Sequence, residues 1–192
     1  MGARSEFDHT PPAFTAALEQ LLAAPVRPEV VVDEIPAPQR IAPFAHALSG
    51  DLEVGGDDVA TGRFILLHDP AGNDAWDGTF RCVTFARAEV EREMAEDPAL
   101  ATVGWSWLVD ALEAQGGTHT AASGSVTVVS TETFGEMAGD TGSAQVEIRA
   151  SWTPTSEAGA HVAAWTELLC TLAGLPPLAP GVVPLQRRRG RR

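Results

Sequence analysis

The chain contains no lysine, no tyrosine and only two cysteines, and none of its apolar runs is long enough to span a bilayer. The missing lysine and tyrosine, beside abundant Ala, Gly, Pro and Arg, reflect the codon bias of a GC-rich genome rather than a physical requirement. Cys82 and Cys170 lie far apart, one in an apolar strand pattern and one in an apolar helix pattern. Neither has a local partner, so both are expected to be buried, reduced thiols acting as small hydrophobes. The opening Met1-Gly-Ala-Arg-Ser-Glu-Phe-Asp8 lacks the apolar stretch of a signal peptide, which points to a cytoplasmic protein with no membrane partner. Basic residues are also scarce, 13 against 26 acidic, for a formal charge of −13. Five of them (Arg187, Arg188, Arg189, Arg191 and Arg192) close the chain, so the body before them carries −18. Such a surface repels phosphate backbones and argues against nucleic acid as a partner. The arginine tail has no interleaved aromatics and reads as a solvated terminus.

Signatures of chemistry are equally thin. His9, His46, His68, His119 and His161 include no pair at zinc-ligand spacing. Ser49 and Ser106 lack a Gly-x-Ser-x-Gly elbow, and there is no Gly-x-Gly-x-x-Gly or P-loop. Nucleotide-dependent and acyl-transfer enzymes are disfavoured, and no cofactor is expected. Asp140-Thr-Gly-Ser143 matches the aspartic protease tetrapeptide. It follows Met137-Ala-Gly in a hairpin loop instead of an apolar strand, however, and has no second copy in the chain.

What the chain does have is 192 residues at 44% hydrophobic content, enough for one domain with a real core and no disulfides. Residues 1–10 read as a disordered terminus, 11–177 as one domain, and 178–192 as a Pro/Arg-rich tail. Pro11-Pro12 open a helix with Phe14, Ala17, Leu18, Leu21 and Leu22 on one stripe. Glu29-Val-Val-Val-Asp33 is β-branched but bordered by Pro36, Pro38 and Pro43, which allows at most a short edge strand. Residues 44–54, then 62–68 after a Gly/Asp turn, then 79–86 form a three-stranded meander. The two later strands carry apolar residues at both parities, as central strands covered on each face do. A helix over 88–96 and a second from Asp97-Pro98 to Gly116-Gly117 follow. A long hairpin pairs residues 124–134 with 144–152, where Val146, Ile148, Ala150 and Trp152 alternate with Gln145, Glu147, Arg149 and Ser151. Ser156 caps a last helix bearing Val162, Trp165, Leu168, Leu169 and Leu172, which Gly174 ends.

The expected order is therefore α-β-β-β-α-α-β-β-α, with a fourth meander strand if the Val-rich segment pairs. Hairpin-linked strand runs separated by helices make an α+β fold with an antiparallel sheet. That order resembles type III secretion chaperones and YbjN-like proteins, small acidic and often dimeric proteins that bind polypeptides. The likeness lies in element order and transfers no site. Four segments carry a second resemblance, together spanning most of the chain: Phe64-Ile-Leu-Leu-His-Asp-Pro-Ala-Gly-Asn-Asp-Ala-Trp-Asp-Gly-Thr-Phe-Arg-Cys-Val, Val103-Gly-Trp-Ser-Trp-Leu, Gly124-Ser-Val-Thr and Ser151-Trp-Thr-Pro. They are similar to an uncharacterised actinobacterial family of domains of unknown function, which implies an actinobacterial cytoplasmic protein and no particular chemistry.

Two stretches are candidate sites. In the second of the paired helices Leu100, Gly104, Trp107, Leu108, Ala111 and Leu112 form a stripe, with Trp105 and Val109 further around the circumference. The apolar surface is wider than one sheet contact needs, so Trp105, Trp107, Leu108 and Val109 are the expected binding residues, for a protein partner or a homodimer. The alternative is the loop at residues 68–78. There His68, Asp69, Asp74 and Asp77 offer ligands for a divalent ion, although Asp-Pro, Gly-Asn and Asp-Gly are also what turns are made of. The reading is of a non-catalytic, macromolecule-binding module, chaperone-like or adaptor, with a divalent-metal-dependent enzyme or metal-binding protein that uses this loop as the alternative.

Overall fold

The computed structural model describes residues 10–137 and 143–177. What was expected of residues 1–9, of Asp140, Thr141 and Gly142, and of residues 178–192 lies outside them. Helix α1 (Pro12–Leu22) leads into strands β1 (Val30–Ile35), β2 (Phe44–Val54), β3 (Asp57–Asn73) and β4 (Gly78–Val90). Helices α2 (Arg92–Ala95) and α3 (Leu100–Ala114), strands β5 (His119–Ser130) and β6 (Ala144–Pro154), and helix α4 (Ala158–Leu172) complete it. The α+β class and the order hold, with the Val-rich segment taking the fourth meander position at an edge. Among the described residues no helix is long and apolar enough to cross a membrane.

All six strands pair antiparallel in the order β1-β2-β3-β4-β6-β5. The β2–β3 turn is Gly55-Gly56, with φ of 68° and 101°, a pair of left-handed positions that a two-residue hairpin requires and glycine takes without strain. Residues 88–90, assigned to a helix from sequence, continue β4 instead. Ala86, Ala88 and Val90 keep the two-residue period and pair with Ile148, Val146 and Ala144, and that ladder outweighs their alanine-rich helix propensity. The first of the paired helices shrinks accordingly to α2. α3 starts after the expected cap, but Asp97 still shapes the entry, its carboxylate accepting the Ala99 N–H at 2.8 Å. At α4 the cap is also reassigned. Gln20 from α1 accepts the Ala158 N–H through its side-chain oxygen at 3.0 Å, while the Ser156 hydroxyl lies 3.1 Å from His161 Nε2.

α4 lies across the middle of the sheet, with α1 and α3 packed on it. It is the helix buried almost all round, including His161, Thr166 and Glu167. Its Trp165 fits because two paired strand positions beneath it are glycines. A Cβ on Gly50 or Gly62 would come within 2.7 or 2.9 Å of the indole. Phe64, Leu66, Trp152, Leu168 and Leu169 fill the rest of this layer. Burial of the polar residues on α4 is compensated. Arg27, 5% exposed, donates to Glu167 (3.0 Å), to Glu29 (2.9 Å) and to the Pro176 carbonyl, joining the α1–β1 connection to α4 and the C-terminal segment. The hydrogen bonds it donates to Glu29 raise the guanidinium's pKa above its ordinary value against the opposing cost of burial.

The helices pack on one face of the sheet, so the expectation that both faces of β3 and β4 are covered is corrected. On the other face Ile65, Val83 and Phe85 stand half-buried in a broad groove of about 950 Å³. Their neighbours at the same parity explain the difference. They are arginines and serines, which a second helix layer could not bury without partners.

Candidate functional site

Strand parity builds the site on this open face. Residues one apart on a strand point to opposite sides, so Arg63, Ile65 and Leu67 on β3 share a face with Arg81, Val83, Phe85 and Arg87 on β4. β6 adds Arg149 and Ser151, and β5 adds Ser123 and Ser125. The register sets them in cross-strand rows. One runs Arg63, Phe85, Arg149, Ser125, and the next runs Ile65, Val83, Ser151, Ser123. The Arg149 guanidinium carbon lies 5.1 Å from the Phe85 ring centroid, a cation–π contact, and the same group reaches Glu147 at 3.3 Å. Arg63, Arg87 and Arg149 are exposed. Four of the eight arginines that precede the tail thus share one sheet face, and no aspartate or glutamate lines the groove between them.

Arg81 plays a different part. It is 6% exposed and donates to the Ala121 carbonyl (2.9 Å), Thr153 Oγ1 (3.1 Å), the Ser151 carbonyl (3.2 Å) and hydroxyl (2.7 Å), and Ser123 Oγ (3.3 Å). It therefore bridges β4, β6 and the start of β5, where Ala121 is held at φ 49° in a break of register. Burial lowers its pKa from the ordinary arginine value. Thr153 in turn donates to the Trp76 carbonyl, which ties the β3–β4 tip to this cluster. The floor of the groove is fixed by these bonds, leaving the outer arginines as the groups able to meet a ligand.

The residues expected from sequence are placed elsewhere. On α3, Leu108 is 1% exposed and belongs to the core. Trp105 and Trp107 are half-buried and lie on different sides of the helix, as positions two apart must. Trp105 covers Gly124, where a Cβ would sit 2.7 Å from the ring. Trp107 lines a second groove of about 590 Å³ with Pro25, Ala163 and Thr171, over the Arg27–Glu167 pair. Val109 is half-buried as well. The four residues do not form one patch.

At the β3–β4 tip His68 and Asp69 are successive strand residues and face opposite ways. His68 is buried, its ring 4.1 Å from Phe80 and 5.8 Å from Phe14, with Nδ1 donating to the Thr79 carbonyl at 3.0 Å. Asp69 accepts the Ala71 N–H and Asn73 accepts the Ala75 N–H through their side chains, both Asx turns. Asp74 is exposed, and Asp77, also exposed, takes the left-handed φ of 56°. Among the described residues no three His, Cys, Asp or Glu side chains are grouped to hold a metal ion. Both cysteines are buried and unpaired, and burial pushes the Cys170 thiol up to about 12.

A model of a protein family matches residues 10–183. The chain belongs to the DUF3000 family, proteins of unknown function. Neither the curated proteins nor the solved structures contain a match. For this DUF3000 chain the geometry of the open face is accordingly the functional information at hand. A signal for it was present in the sequence. Arg81, Val83, Phe85 and Arg87 alternate with Cys82, Thr84, Ala86 and Ala88, a polar and basic face against a small apolar one.

Proposed function

We propose that this protein is a non-catalytic binding module, chaperone-like or adaptor, that works in the cytoplasm as a homodimer. Its open sheet face holds a partner polypeptide carrying carboxylates among apolar side chains. One observation carries the reading. On a body of charge −18, an uncovered groove is lined by Arg63, Arg87 and Arg149 and by apolar Ile65, Val83 and Phe85, with Glu147, opposite Arg87 and 3.3 Å from Arg149, the acid at its margin. Guanidinium groups bind carboxylates in a forked geometry, and half-buried aliphatic and aromatic side chains supply the desolvated contact between them.

The test uses fluorescence anisotropy with two labelled extended peptides, one alternating Glu with Leu and Phe, the other alternating Lys with the same residues. The acidic peptide is expected to bind, to weaken with added salt, and to lose affinity roughly tenfold or more in the Arg63→Ala/Arg149→Ala double variant. Equal binding of the basic peptide, or acidic-peptide binding that the double variant leaves intact, overturns the assignment.

A further inference from the structure

The two edges of the sheet differ in length, charge and proline content, three devices that stop an edge strand from pairing with another chain. β1 is six residues long, contains Asp33 and Glu34, and is bordered by Pro28, Pro36 and Pro38. Charge, proline and short length are the usual protections. β5 is twelve residues long, and from residue 118 to residue 131 the chain contains no Asp, Glu, Lys, Arg or Pro. Ser123, Gly124, Ser125, Thr127, Val129 and Ser130 are exposed, and β5 is last in the strand order. Alternate backbone N–H and C=O groups of such a strand point away from β6, its strand neighbour among the described residues. The bulge between Thr120 and Ser123 interrupts the strand at its start, and residues 124–130 keep unbroken register with β6. That segment is a regular template.

We infer that β5 pairs antiparallel with β5 of a second copy of this chain, forming a two-fold dimer whose two six-stranded sheets become one. Two considerations select a second copy as the occupant. An antiparallel edge is self-complementary, since the residue opposite i on one strand is matched by its counterpart on the other. Two copies of charge −13 also repel, and residues 118–131 are an acid-free seam where the backbones can meet without opposing like charges. The consequence reaches the open face. The two-fold axis of an antiparallel ladder stands perpendicular to the sheet, so both open faces end on the same side. Ser123 and Ser125 line the arginine groove, so the grooves of the two copies adjoin across the seam. The inference rests on the part of the proposed function in which the chain self-associates and is independent of what the groove binds.

Sedimentation of the purified full chain at tens of micromolar is expected to show a dimer. Single-cysteine variants then locate the seam. Ser123→Cys, Ser125→Cys, Thr127→Cys and Val129→Cys should give an oxidised covalent dimer that peaks at one position and declines on either side. Val31→Cys on β1 should give none, and the native Cys82 and Cys170 are buried and contribute no background. Val129→Glu should weaken the dimer roughly tenfold or more by placing a charged side chain on each of the two edge strands that meet, the usual protection of an edge. Val129 is 42% exposed, so the fold tolerates the change, and Thr127→Glu repeats the test at a second exposed side chain. A monomeric wild-type chain overturns self-association and the seam with it. A dimer that both glutamate variants leave intact, or whose cross-links map to β1, overturns the seam alone. The groove stands or falls separately, on the arginine variants.

Discussion

The two faces of the sheet carry apolar residues on the same central strands, yet one lies under α4 with α1 and α3 beside it and the other meets solvent. What separates them is the company those residues keep. On the covered face Phe64, Leu66 and Cys82 alternate along the ladder with Gly50, Gly62, Ala86 and Ala88, small residues that let a helix approach closely. On the open face Ile65, Val83 and Phe85 alternate with Arg63, Arg81 and Arg87. Burying three guanidinium groups under a helix would require a carboxylate or several carbonyls for each, and only Arg81 has such a set. Apolar residues at both parities therefore mark a central strand, and the residues between them decide which side is roofed.

The largest expected effect sets one face against the other. Trp165→Ala removes a fully buried indole from its glycine bed and should cost about 3–5 kcal/mol in urea denaturation. Phe85→Ala, half-buried on the open face, should cost about 1 kcal/mol, mostly through the apolar contact its ring makes with the sheet. Comparable losses at the two sites would mean that the open face is part of the stabilising core.

Next in size is a pH effect confined to the covered side. His161 is fully buried, and its Nδ1 accepts the Trp152 indole N–H at 3.0 Å, which places the proton on Nε2 toward Ser156. Burial, and then the neighbouring His119, lower its pKa from 6.5 to about 4. The folded pKa lies below the unfolded one, so the neutral ring contributes its full stability above pH 6.5. That contribution is lost as pH falls from 6.5 toward 4, where the unfolded chain takes the proton more readily, and it amounts to roughly 3 kcal/mol. Denaturation of wild type against His161→Gln should show the wild type losing stability across this window and the variant staying flatter. Parallel curves would remove His161 as the source.

How much of this could be read from the chain follows from what each signal depends on. The strands, their order and α4 were legible because turns such as Gly55-Gly56 and the alternation from Val146 to Trp152 are local. The end of β4 was not, since Ala86, Ala88 and Val90 become a strand only through partners on β6, some sixty residues away. The open face was not legible for a related reason. Trp105 and Trp107 draw notice by size, but Trp105 lies over Gly124 and Trp107 lines the groove beside α4, so the two do not share one surface. The arginine face is assembled from β3, β4 and β6, none of which carries more than part of it, so composition along any one segment understates it.

Gly62→Ala should cost about 1–3 kcal/mol by chemical denaturation, because the added methyl would meet Leu169 and Trp165 at 2.9 Å and the Phe85 carbonyl at 3.0 Å. A neutral outcome would mean that the covered face yields to an added methyl without loss of packing.

The smallest expected effect is the most informative about function. Arg63→Ala and Arg149→Ala change exposed side chains, and the 3.3 Å contact of Arg149 with Glu147 is one that water screens well. Each should move stability by no more than about 0.5 kcal/mol. Arg81→Ala is the internal control on the same face. It strips the partly buried Ala121 and Ser151 carbonyls and the buried Thr153 hydroxyl of a donor, and should cost about 1–3 kcal/mol. Thermal or urea unfolding of the three variants in parallel separates the roles. A stable fold that tolerates loss of the outer arginines but not of Arg81 has no structural use for them, so their clustering on an otherwise acidic body calls for a ligand. A loss of more than about 1 kcal/mol at Arg63 or Arg149 would instead make them structural and withdraw the main support for a binding groove.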